Sequence, residues 1–514
     1  MNFSETLSIV SEIMPDRVAT VFDKDCTSYA KLSHEADLIA SGLISIGIKP
    51  GDRVAFLDVN TDRQIKLIYG IARAGGVSVP INYRAKSSEI EFCINDSGAS
   101  AIVVGSDYHE MVLSIKDNIN CQLKLISFQS HGYADNWIPY GNIFKEQNDS
   151  YPQTNPKDPA IILYTSGTTG RPKGVLLTHQ SLSASLLNNI FPDIENNEVV
   201  LLSMPLYHVA GIHILLASLY EGRKLVIQRQ FQAREWLELI DEHKVSRATL
   251  VPTMLKMILE NDFFNKANLS SLGMITYGAA VMPLSVITEA IQRLPLVGFI
   301  NAFGQTESGS TIAALTPEDH TLTGTSLQVE KKLSRLSSIG KPLEGVEVRI
   351  SANQVTAPPG QVGEILVRSD QIMDRYWNDN SLSSSVIDEG WLHTGDMGYM
   401  DEEGYIFLQG RSKDFIKRGG ERISPNEIES VLLTHPGVDE TAVIGEPDIH
   451  WGEIVVAFVI KSDNLNVTEK DLILHCKNFL ASFKKPEKII FIETMPKNSL
   501  GKILKTDLKK LYLD

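Results

Sequence analysis

Between Tyr164 and Gly174 the chain reads Tyr-Thr-Ser-Gly-Thr-Thr-Gly-Arg-Pro-Lys-Gly, directly after the apolar run 160–164. Its three glycines let the backbone approach a ligand closely and take positive φ. The hydroxyls of Thr165, Ser166, Thr168 and Thr169, with nearby N–H groups, can face phosphate oxygens, and Arg171 and Lys173 add positive charge. The G-x-x-x-x-G-K-[ST] spacing is absent. Most Gly/Ser/Thr runs are flexible loops, but this one follows a strand, where α/β sheets bind ligands. Four other segments carry chemistry-bearing side chains. In Asn301-Ala302-Phe303-Gly304-Gln305-Thr306-Glu307 an acid and a hydroxyl follow a glycine, which suits either a helix cap or a pair of oxygen donors for Mg²⁺. Asp396, after Gly395, either closes a turn or accepts hydrogen bonds from two ribose hydroxyls. Lys502, in Gly501-Lys502-Ile503, reads on its own as a solvated surface lysine. His208, in Met204-Pro205-Leu206-Tyr207-His208, reads as a core histidine without a metal-ligand pattern around it.

The elements that must position these groups follow from patterning. With 514 residues the chain needs more than one packed unit. Short β-rich runs (18–22, 53–59, 76–80, 101–104) alternate with amphipathic helical patterns (28–46, 65–74, 87–96), and the alternation returns from 200 to about 301. This predicts parallel sheets covered by helices. After Gly410 the character changes. Ser424-Pro425-Asn426-Glu427 announces a helix by cap and proline, strands are expected at 438–444 and 454–460, and helices at 471–480 and 506–511. Residues 199–220 hold no Asp, Glu, Lys or Arg and are long enough to span a bilayer. Pro205, His208, Gly211 and His213 interrupt them, so they read as a buried strand, a turn and a core helix. The net charge of -15 argues against a nucleic-acid partner. The four scattered cysteines argue against a disulfide framework or structural zinc site and for a reducing compartment. The N-terminus lacks the basic-then-apolar pattern of a signal peptide, so a cytoplasmic location is expected.

Taken in order, these segments resemble the motifs of the adenylate-forming superfamily, which includes acyl- and aryl-CoA synthetases, free-standing amino-acid adenylation domains and beetle luciferases. The resemblance runs from about residue 28 to 505. It implies a large α/β N-terminal domain of helix-covered sheets with a small β-barrel subdomain (1–410), a hinge (411–414) and a small mobile α+β C-terminal domain (415–514). It implies that Thr165, Ser166, Gly167, Thr168, Thr169, Gly170 and Lys173 hold phosphates. Gly278, Ala279, Asn301, Ala302, Phe303, Gly304, Gln305 and Thr306 would surround the nucleotide, with Phe303 near adenine. Asp396 is implied as ribose ligand with Arg411 beside it, Glu307 as Mg²⁺ ligand with Thr306 at the α-phosphate, His208 as gate of the acid pocket and Lys502 as catalytic lysine. Lys413 falls at the hinge, and Lys417, Gly419, Gly420 and Trp451 at the coenzyme A site.

The implied reaction joins a carboxylic acid to ATP, giving an acyl-adenylate and pyrophosphate, and then passes the acyl group to the thiol of coenzyme A. ATP, Mg²⁺ and coenzyme A are the expected cofactors, and a homodimer is an open expectation. In amino-acid-activating relatives an Asp shortly after the His208 position holds the substrate ammonium, and residues 209–220 carry no acid. A medium- or long-chain fatty acid is therefore the first expectation, and an aryl or alicyclic acid the second. A carrier protein in place of coenzyme A is the alternative acceptor. A nucleotide-binding protein without turnover is the reading from another class, and the retained Lys173, Thr306, Glu307, Asp396, Arg411 and Lys502 count against it.

Overall fold

A computed structural model describes residues 1–129, 136–146, 151–165, 171–187, 191–195, 197–462, 467–497 and 503–512. The alternating pattern builds two helix-covered sheets, of nine and eight strands. In the first, Val18–Phe22, Lys224–Ile227, Val199–Leu202, Arg247–Leu250, Met274–Gly278 and Gly298–Gly304 run parallel. In the second, Pro159–Thr165, Val77–Pro80, Arg53–Leu57, Ala101–Val104 and Lys124–Ser127 do the same. Parallel strands end on one edge of their sheet, so the chain leaves Thr165, Gly278 and Gly304 at carboxyl edges. Antiparallel strands flank both runs: Lys173–Thr178 returns beside Pro159–Thr165, and Thr311–Leu315 beside Gly298–Gly304.

Caps set several helix starts. Ser28 accepts a hydrogen bond from Lys31 N at the head of Tyr29–Ser45, and Thr61 accepts one from Gln64 N at the head of Asp62–Arg73. The second helix begins three residues earlier than its apolar spacing predicts because this cap carries it past Asp62. The uncharged stretch resolves into the strand Val199–Leu202, a turn and the helix Val209–Tyr220, most of it buried. Among the described residues no helix is long and apolar enough to cross a membrane.

A six-stranded antiparallel sheet (Glu347–Ala352, Val355–Thr356, Gly363–Arg368, Ile387–Asp388, Trp391–Met400, Ile406–Arg411) stands where the small barrel is expected. Its core residues Ile350, Ile365, Val367 and Ile406 pack with Ile312 and Ile339, against the edge of the nine-stranded sheet. The residues after it build a five-stranded sheet of their own from Ile416–Arg418, Glu421–Ile423, Val438–Asp448, Gly452–Lys461 and Lys488–Phe491. The helix Pro425–Leu432 opens on Ser424 and Pro425 as its sequence announces. Gly419 and Gly420 take φ of 57° and 88°, which makes the two-residue hairpin turn that follows strand twist.

Candidate active site

Ser166, Gly167, Thr168, Thr169 and Gly170 lie outside the described residues. Their flanks are fixed by register: Thr165 pairs with Lys173 across the antiparallel strands, with Thr165 Oγ1 3.5 Å from Lys173 O. Lys173 therefore starts its strand at the carboxyl edge of the eight-stranded sheet. Its ammonium lies 5.4 Å from the centroid of the Tyr376 ring. Arg171 is exposed.

The strand Gly298–Gly304 ends at the same kind of edge and hands over to a single 3₁₀ turn, Thr306–Ser308. The buried Ser308 hydroxyl locks this turn, accepting from Gln305 N and donating to Ser310 O at 2.8 Å. Glu307 is held twice. Its carbonyl accepts from Met373 N at 2.9 Å, and its Oε1 accepts from the Tyr376 hydroxyl at 2.8 Å. Asn301 Nδ2 donates to Ser338 O, Gln305 Nε2 reaches Thr394 O at 3.4 Å, and Phe303 packs against the core of the third sheet. Gly278 sits opposite Ala302, where an added Cβ would lie 2.1 Å from the Ala302 carbonyl oxygen. Ala279, the next residue, takes φ of 65°. That left-handed conformation costs a non-glycine residue about 1–2 kcal/mol and tends to be kept where function requires it.

The third sheet supplies Asp396 and Arg411 as direct cross-strand partners. Arg411 Nε is 3.0 Å from Asp396 Oδ1, and Asp396 is buried. Ser412 N donates to Gly395 O, which ties the start of the expected hinge to the Asp396 turn. Lys413 has its pKa lowered by partial burial, and by the nearby charges of Arg411 and Lys173. Arg411, Lys413 and Lys173 thus come together beside Asp396 and Asp414, and a cluster of three cations favours a polyanion.

His208 precedes the helix Val209–Tyr220. Burial, reinforced by the Arg84 charge, lowers its pKa to about 3, and burial alone lowers that of His213 to about 4. Both rings are neutral at pH 7. Val209, Ala210, His213 and Ile214 keep partial exposure while residues 215–220 are buried. Their spacing is one helix face, so this face is the less buried one. No acidic side chain lies on it.

On the C-terminal sheet, Gly419 N donates to Trp451 O at 2.8 Å and the Arg418 guanidinium lies 5.3 Å from the Trp451 ring centroid. Lys417, Gly419, Gly420 and Trp451 are all exposed there, around one hairpin turn. Lys502 lies outside the described residues. Lys497 forms a bridge with Ile503 and an ion pair with Glu440 at 2.6 Å.

Tyr376, Arg84 and His213 were not singled out by sequence as site residues. Spacing along the helix after His208 marks His213. Nothing local marks Tyr376, whose partner Glu307 is 69 residues away.

The eight-stranded sheet thus delivers Lys173, the nine-stranded sheet Glu307, and the third sheet Asp396 with Arg411. Residues 10–377 match the family model for the AMP-binding enzyme, and residues 427–502 match that for the AMP-binding enzyme C-terminal domain. The chain belongs to the AMP-binding enzyme family of acid–thiol ligases. It is 31% identical over 518 residues to an indoleacetate–CoA ligase of Aromatoleum aromaticum, spanning 99% of this chain and 98% of that protein. It is 32% identical over 523 residues to a fatty acid–[acyl-carrier-protein] ligase of Streptomyces coeruleorubidus, spanning 99% and 96%. The solved structure of o-succinylbenzoate CoA synthetase from Bacillus subtilis, in complex with its acyl-adenylate intermediate, matches with a TM-score of 0.83 at 28% identity, covering 98% of this chain and 97% of that one.

Proposed function

We propose that the protein activates a hydrophobic carboxylic acid with ATP and transfers the acyl group to coenzyme A. The convergence of Lys173, Glu307, Asp396 and Arg411 from three sheets carries this reading. A carboxylic acid with a pKa of about 4 is ionised at neutral pH, so no general base is needed. The obstacle is an anion approaching a polyanion, and the chain meets it with fixed positive charge and orientation.

Lys173 and residues 166–170 neutralise phosphate oxygens. Asp396 accepts from the ribose hydroxyls while Arg411 holds its other side. One Glu307 oxygen is tied to Tyr376, the other has no hydrogen-bond partner among the described residues, and a hard oxygen donor beside phosphates fits Mg²⁺. Mg²⁺ bound there supplies further charge neutralisation. Lys502 bridges the incoming carboxylate and the α-phosphate. For the second step the C-terminal unit turns about residues 411–414, with Lys413 as pivot, and presents Lys417, Gly419, Gly420 and Trp451 to coenzyme A. The four free cysteines fit a reducing, cytoplasmic setting.

The acid-free helix face with two neutral imidazoles disfavours an amine-bearing acid and favours a medium- or long-chain fatty acid, with an aryl acid second. The relative that loads a carrier protein keeps a second acceptor in view. The test is pyrophosphate release over a panel of fatty, aryl and amino acids with ATP and Mg²⁺, with coenzyme A, with a carrier protein, or with neither. Turnover stimulated by coenzyme A for a fatty or aryl acid supports the reading. Stimulation only by the carrier protein replaces the acceptor, and no release with any acid overturns it.

A further inference from the structure

We propose that Tyr376 is the positioning residue of the nucleotide site: its phenol fixes the Glu307 carboxylate and its ring face holds the Lys173 ammonium, so one side chain keeps the two charges apart. This rests on the functional reading above and deepens it.

The placement follows from register. The short strand Arg375–Tyr376 pairs antiparallel with Lys173–Thr178, and Tyr376 sits opposite Val175. Directly paired residues share a sheet face, and Val175 and Lys173 are two apart, so Tyr376 and Lys173 lie diagonally on the same face. The ring is therefore beside the lysine by backbone geometry, at 5.4 Å from Nζ to centroid. From the opposite side the phenol reaches across to the turn at the end of Gly298–Gly304 and donates to Glu307 Oε1 at 2.8 Å.

The segment bearing Tyr376 is braced far more than a two-residue strand needs. Ile372 O accepts from Ser181 Oγ, Met373 N donates to Glu307 O, Tyr376 N donates to Ser383 Oγ and Trp377 N donates to Gly174 O. These bonds join the eight-stranded sheet to the Glu307 turn through residues 372–377. Tyr376 itself is 6% exposed, so its hydroxyl is shielded from water and directed at Glu307.

A lysine and a glutamate on facing edges would ordinarily close into an ion pair. Among the described residues, neither Lys173 nor Glu307 has an ion-pair partner. The tyrosine occupies the interval and gives each charge a substitute contact: a ring face for the cation and a charge-assisted hydrogen bond for the anion. Both charges are then held ready for a ligand that carries phosphates together with a divalent cation.

Two variants separate the two contacts. Tyr376→Phe keeps the ring and removes the hydroxyl, whereas Tyr376→Leu removes both. Calorimetric binding of α,β-methylene-ATP is measured with and without Mg²⁺, alongside an Mg²⁺ titration of pyrophosphate release. Tyr376→Phe should bind the analogue as wild type does without Mg²⁺, and should need about tenfold more Mg²⁺ for half-maximal binding and turnover. Tyr376→Leu should lose affinity in both conditions. In a Glu307→Gln background, Tyr376→Phe should change nothing further, an outcome that a general loss of packing would not give. A wild-type Mg²⁺ requirement in Tyr376→Phe, or an equal loss in the Glu307→Gln background, overturns the proposal alone. Failure of the wild-type chain to bind the analogue overturns the functional reading and this proposal with it.

Discussion

Asp396 is 8% exposed, and a carboxylate that far from water is costly unless a partner meets it. Arg411 supplies that partner at 3.0 Å from the adjoining strand. The two substitutions should therefore separate stability from binding. Arg411→Ala takes a guanidinium away from a buried acid and should cost about 1–3 kcal/mol in urea unfolding. Asp396→Asn keeps the shape, so it should unfold close to wild type but, on the proposed ribose-binding role, bind ATP at least about tenfold more weakly. Equal effects of both on ATP affinity with no stability difference would sink this division. Ala279 gives a second residue-scale test. Its φ of 65° suits glycine, so Ala279→Gly should stabilise the fold by about 0.5–1 kcal/mol in the same assay. Residues of this kind differ in how far sequence reveals them. Lys173, Glu307, Asp396 and Arg411 sit in contiguous motifs whose resemblance singles them out. Tyr376 acts through a pairing across 69 residues, and no local spacing encodes that.

At the scale of elements, the helix Val209–Tyr220 is placed by Gly211, where an added Cβ would lie 2.2 Å from the Pro205 carbonyl oxygen. The helix thus packs its first turn against the segment that carries His208. Gly211→Ala should cost about 2–4 kcal/mol and raise the KM for the acid by displacing His208 and Ala210. The same region makes the fold acid-sensitive. Burial holds His179 and His213 to about 4, and His208 to about 3 with help from Arg84, against an ordinary value of 6.5. Below pH 6.5 the unfolded chain takes up protons that the folded chain refuses. Stability should therefore fall from pH 6.5 toward pH 4, by about 1.4 kcal/mol per pH unit for each imidazole. Urea melts of wild type and His213→Leu between pH 7 and 4.5 should show a shallower slope in the variant. The parallel strands and capped helices are legible in the sequence because their periods and caps are local. The antiparallel strand Lys173–Thr178 and the two-residue strand Arg375–Tyr376 are not, because only pairing partners distant in sequence define them.

At the scale of the whole molecule, the change of character after Gly410 marks the separate C-terminal sheet, while the contacts that seat it on the larger unit have no sequence signature. One of them is the ion pair between Lys256 and Asp439, at 2.5 Å. Lys256 lies on Pro252–Leu259, the helix that leaves the carboxyl end of the parallel strand Arg247–Leu250. Asp439 is next to Glu440, which pairs with Lys497, and Lys497 bridges to Ile503. We infer that this pair favours the docked orientation of the two units over a rotated one, and we assign that orientation to the adenylation step. Its side chains are 30% and 42% exposed, so its contribution is limited to about 0.2–1 kcal/mol and weakens with salt. Lys256→Ala or Asp439→Ala should slow acyl-adenylate formation about 2–5-fold and leave thioester formation from supplied acyl-adenylate unchanged or faster. The exchanged pair, Lys256→Asp with Asp439→Lys, should recover most of the first half-reaction. Single-turnover measurement of each half-reaction at low and high ionic strength decides it. Equal slowing of both steps, or no recovery in the exchanged pair, would show that the contact does not select between orientations and that docking of the two units is set elsewhere.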